Sequence, residues 1–138
     1  MRVQQLVEQL RKAWAGSSRV ESVTDFDPVE TKLGQSLPAD YKFLLMWSNG
    51  GETLPPLPRC RFYPLEELLE RRADGQPPDV LEFATDDGDG YAFDLSLRRD
   101  TAKYPVVRYP LGETERVDVE RIAEDLATFL TSLLDRKR

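Results

Sequence analysis

The chain has 138 residues, with 19 Lys+Arg against 25 Asp+Glu, a formal charge of −6, one cysteine and no histidine. Its length suits one domain and falls well short of a (β/α)₈ barrel of typical size, about 250 residues. The missing histidine excludes Ser-His-Asp and Cys-His nucleophile systems and imidazole metal ligands, and the lone Cys60 can form neither an internal disulfide nor a zinc cluster.

In chain order, Val3, Leu6, Val7, Leu10, Ala13 and Trp14 recur at helical spacing, and Gly16 closes that pattern. These first residues are charged throughout, so no signal-type apolar stretch is read there. Asp27-Pro28-Val29-Glu30 reads as a helix start, with Asp27 as cap, Pro28 in the first position and Glu30 completing a capping box. Gly34 ends that short helix. Leu37-Pro38 opens another, with Asp40 at its positive end. Tyr41, Phe43, Leu44, Leu45, Met46 and Trp47 make it apolar almost all round, which predicts a deep position in the core. Asn49-Gly50-Gly51 stops it.

Pro55, Pro56 and Pro58 impose an extended path, and Arg61-Phe62-Tyr63 is a short strand candidate. Pro64 starts a helix through Leu65, Leu68 and Leu69. The clearest β signal follows: Val80, Leu81, Phe83 and Ala84, then Tyr91, Phe93 and Leu95, joined by the turn Asp86-Asp87-Gly88-Asp89-Gly90. Val106 to Tyr109 is a third strand of this region and Glu115 to Val117 a fourth. The last helix is expected from an Asp118 cap, with Val119, Ile122, Ala123, Leu126, Phe129, Leu130, Leu133 and Leu134 on one face. Arg136 to Arg138 then meet its negative end. Helices, then strands, then a helix is an α+β plan: a mainly antiparallel sheet with N-terminal helices and a C-terminal helix packed on it.

The turn Asp86-Asp87-Gly88-Asp89-Gly90 has three readings: a solvated hairpin turn, a partner contact or a cation site. The EF-hand pattern fails, because counting from Asp87 puts Tyr91 at position five and Arg98 at position twelve. Between Asp74 and Asp94 lie seven acids (Asp74, Asp79, Glu82, Asp86, Asp87, Asp89 and Asp94) and no Lys or Arg. If several share a face, they form a negative patch that steers a basic partner; the alternative is an ordinary solvated acidic surface. Glu66, Glu67 and Glu70 sit at helical spacing and read as a solvated face pairing with Arg71 and Arg72, not as a glycosidase carboxylate pair. Trp14 and Trp47 read as core packing. Cys60 lies between Arg59 and Arg61, which favours its thiolate, but no histidine is present to serve as a base.

Leu33-Gly34, Leu37-Pro38, Asp40-Tyr41, Phe43-Leu44 and Asn49-Gly50-Gly51, in that order and spacing, resemble the signature of the SUKH superfamily. Leu81 to Ala84, with Tyr91 to Leu95, resembles that family's central hairpin, and Phe129-Leu130 its C-terminal segment. The resemblance runs from about Asp27 to Leu134, and Met46-Trp47-Ser48 departs from the charged or tyrosine-containing stretch common there. It implies helices packed around a mainly antiparallel sheet. Many bacterial members are immunity proteins that bind and neutralise a toxin, often a nuclease; fungal members are interaction proteins in cell-wall regulation. No catalytic residues carry over.

The expectation is therefore a cytoplasmic, non-enzymatic binding protein without cofactor or metal. Its partner would be a basic toxin domain, and the alternative is a regulatory interaction module. The net charge of −6 argues against nucleic-acid or anionic-membrane binding. Glu52, Asp86, Asp87 and Asp89 are the candidate contacts, as acids at turns beside the resemblance motifs.

Overall fold

The computed structural model describes residues 3–16, 25–33, 36–55, 57–73, 80–86, 88–95, 104–110 and 119–135. Helix α1 (Val3–Leu10) leads through a 3₁₀ turn (Arg11–Ala13) into β1 (Trp14–Gly16). Helices α2 (Asp27–Leu33) and α3 (Ala39–Trp47) follow, then β2 (Gly51–Thr53), β3 (Arg61–Phe62) and α4 (Leu65–Ala73). Strands β4 (Val80–Thr85), β5 (Asp89–Asp94), β6 (Val106–Pro110) and β7 (Glu120–Ala123) precede helix α5 (Leu126–Asp135). The seven strands form one sheet whose spatial order is the chain order, and every neighbouring pair is antiparallel. The expected α+β architecture, with helices from both ends of the chain on an antiparallel sheet, is the one observed.

Strand alternation divides the sheet's side chains between two faces. On one face Phe62, Leu81, Phe83, Tyr91, Phe93 and Val106 join Leu6 and Leu10 of α1, Tyr41 and Leu44 of α3, and Phe129, Leu130 and Leu133 of α5 in the main core. Phe83 and Phe93 stack with centroids 4.4 Å apart, and Phe129 meets Phe83 edge-on at 5.7 Å. Such aromatic pairs add about 0.5–1.5 kcal/mol beyond the area they bury. A register shift between Glu82 and Ala84 lets both Phe83 and Ala84 join this core. On the other face, Val80, Ala92, Val107 and Tyr109 form a smaller cluster.

Both terminal helices differ from their periodic patterns. The first helical pattern runs on to Trp14, yet α1 stops at Leu10 and Trp14 begins a strand. The reason is pairing: Trp14 lies opposite Thr53, and the Leu54 N–H donates to the Ala13 carbonyl at 2.8 Å. The last helix starts at Leu126, well after the expected cap, and Glu120–Ala123 instead forms β7 beside β6. Asp125 supplies the cap, its Oδ1 accepting the Thr128 N–H at 2.8 Å. Asp118, the proposed strand Glu115–Val117 and Arg136 to Arg138 lie outside the described residues.

Glu30 also departs from its expected role. It closes no capping box; its Oε2 accepts the Leu37 N–H at 2.6 Å and meets Lys42 at 2.9 Å, tying α2 to α3. Helix α3 buries Tyr41, Leu44 and Leu45 but leaves Met46 exposed, so it is less deep than its composition suggests. The triplet Asn49-Gly50-Gly51 does more than stop it. Gly50 has φ +90 and packs against Pro64, a conformation few side chains tolerate. At Gly51 a Cβ would stand 2.4 Å from the Trp14 ring. Asn49 Oδ1 accepts the Leu65 N–H at 2.8 Å and so caps α4 from outside it.

Candidate functional site

Glu52, Asp86 and Asp89 sit at one end of the sheet. The β4–β5 turn is organised by Asp86, whose Oδ1 accepts the Asp89 N–H at 3.0 Å and whose Oδ2 accepts the Tyr91 hydroxyl. The Asp86 N–H donates to the Asp89 carbonyl at 3.2 Å, and the Thr85 hydroxyl donates to the same oxygen at 2.9 Å. This is an aspartate turn with its carboxylate fixed in place. Burial first, then the bond to Asp86, pushes the Tyr91 phenol well above its ordinary value, so it stays a proton donor. Asp89 lies 3.9 Å from Arg108, which binds Glu120 at 2.7 Å. Glu52 stands on β2 and holds Arg59 at 3.0 Å. Asp87 lies outside the described residues.

Behind the turn a small open cleft of about 30 Å³ joins these pieces. Its walls are Pro58, Arg59 and Cys60 from the segment before β3, Asp86 and Tyr91 from the hairpin, and Phe129, Ser132 and Leu133 from α5. Asp86 thus faces the cleft directly, while Glu52 reaches it only through Arg59. The sequence offers Arg59 only as a neighbour of Cys60 and Phe129 as part of the apolar face of the last helix; nothing in the local spacing shows that α5 brings Ser132 and Leu133 beside the turn.

The seven-acid run is not one surface. Glu82 is 2% exposed, its carboxylate accepting the hydroxyls of Tyr63 and Tyr109. Alternation explains this, because Glu82 sits opposite Ala92 on the face away from the main core. A buried carboxylate requires such donors, and tyrosines 19 and 27 residues away supply them. Asp74 and Asp79 lie outside the described residues, leaving Asp86, Asp89 and Asp94 along the hairpin. Among the described residues no group of three or more acidic or cysteine side chains is placed to hold a metal ion. Glu67 pairs with Arg61 at 2.9 Å, whereas the Arg71 and Arg72 side chains lie outside the described part. Trp14 and Trp47 pack at 5.2 Å as a half-buried pair, and the Trp14 indole N–H donates to Ser48 Oγ at 3.2 Å. Among the described residues no helix is long and apolar enough to cross a membrane.

The profile of the SMI1 / KNR4 family (SUKH-1) matches residues 22–132. The chain belongs to this family. No curated protein matches it. The SUKH-1 match extends a few residues before the resemblance read from Asp27 and ends just short of Leu134. It encloses the triplet at Asn49, the acidic hairpin and, from the α5 wall of the cleft, Phe129 and Ser132. In this SUKH-1 chain the signature residues carry structure: Asn49 caps α4, Gly51 admits the Trp14 ring, and Asp40 lies against the start of α5.

Proposed function

We propose that this SUKH-1 chain is an immunity protein, a non-enzymatic domain that binds a toxin of basic surface and blocks its active face. The observation that carries the reading is the β4–β5 turn: the Asp86 carboxylate accepts the Asp89 N–H and the Tyr91 hydroxyl at the rim of an open cleft, with Asp89 beside it. A hydrogen-bonded acidic side chain loses little freedom on binding, and acids at a turn steer a cationic partner. A toxin that cleaves nucleic acid is basic for its own reasons. The lack of histidine, and the absence of a metal-holding acid cluster among the described residues, leave binding as the simpler use of such a loop.

The test is a pull-down from lysate of the source organism with the tagged chain as bait, washed at physiological salt and read by mass spectrometry. The expected result is one stoichiometric partner with a toxin-like domain, released when salt is raised. Capture of several signalling or envelope proteins, with no toxin among them, would overturn the immunity reading in favour of a regulatory interaction module.

A further inference from the structure

We draw no further inference here: the strongest candidate, the surface patch formed by the exposed Met46 and the half-buried Phe43 and Trp47 of α3 with Trp14 of the edge strand β1, carries nothing because nothing among the described residues shows what covers it.

Discussion

Asp40 and Tyr41, adjacent in the signature, each bury a polar atom without a hydrogen-bond partner: Asp40 Oδ2 and the Tyr41 hydroxyl. Burial first, then the neighbouring Asp125 carboxylate, raises the Asp40 carboxyl above its ordinary value of 3.8. The N–H groups of Ala127 and Tyr41 pull the other way and do not prevail. The folded state therefore holds this proton more tightly than the unfolded chain does. Its stabilising contribution is complete below the ordinary carboxylate range and is lost as pH rises through the raised value. At pH 7 the ionised group opposes folding. Asp40→Asn should thus stabilise the protein at neutral pH, by a few tenths to about 1 kcal/mol. Urea unfolding across pH should show the gain shrinking towards pH 4. A variant less stable than wild type at pH 7 would show that the contact to α5 needs the full charge.

At the scale of elements, α4 shows how a helix can depend on a distant residue. Pro64 stands just before it and has no side chain that can cap, so Asn49, 16 residues back, accepts the Leu65 N–H while its amide donates to Glu66 at 3.2 Å. Asn49→Ala should cost about 1 kcal/mol, within the usual span for a lost cap. The loss should appear first as faster amide exchange in α4, ahead of α5. The sequence marks Asn49 as the end of one helix, and only the fold shows it as the start of another. The same limit explains both terminal helices. Ala13 and Trp14 fit the helical period yet go to a strand, because pairing with β2 and the open space over Gly51 outweigh local pattern. Val119, Ile122 and Ala123 continue the α5 period backwards, but β6 needs a partner there and Asp125 supplies a better start. Strands β4, β5 and β6 were readable because their alternation and turn chemistry agree with their tertiary setting. The two-residue β3 lies within the Arg61-Phe62-Tyr63 candidate, whereas the three-residue β2 gives too short a pattern to be read.

For the whole molecule, the α+β plan was legible from element order, and the family from a run of short motifs. The acidic turn was legible as a surface feature. The cleft was not, because its walls come from three segments that only the sheet and α5 bring together. Glu82 was misplaced for the same reason, its tyrosine partners being remote in sequence. The sheet's spatial order has one more consequence, for the route by which the chain folds. Strands β4 to β7 each join the one just before, so that half closes only short loops. The contact between α1 and α5 joins opposite ends of the chain and closes the longest loop of all. It should form after the rate-limiting barrier. Leu6→Ala, which removes a side chain fully buried in α1, should cost about 2–5 kcal/mol. Nearly all of that loss should appear as faster unfolding. Phe93→Leu, in the middle of the β4–β5–β6 ladder, should instead slow refolding, so stopped-flow kinetics of the two variants would show which half of the sheet assembles first.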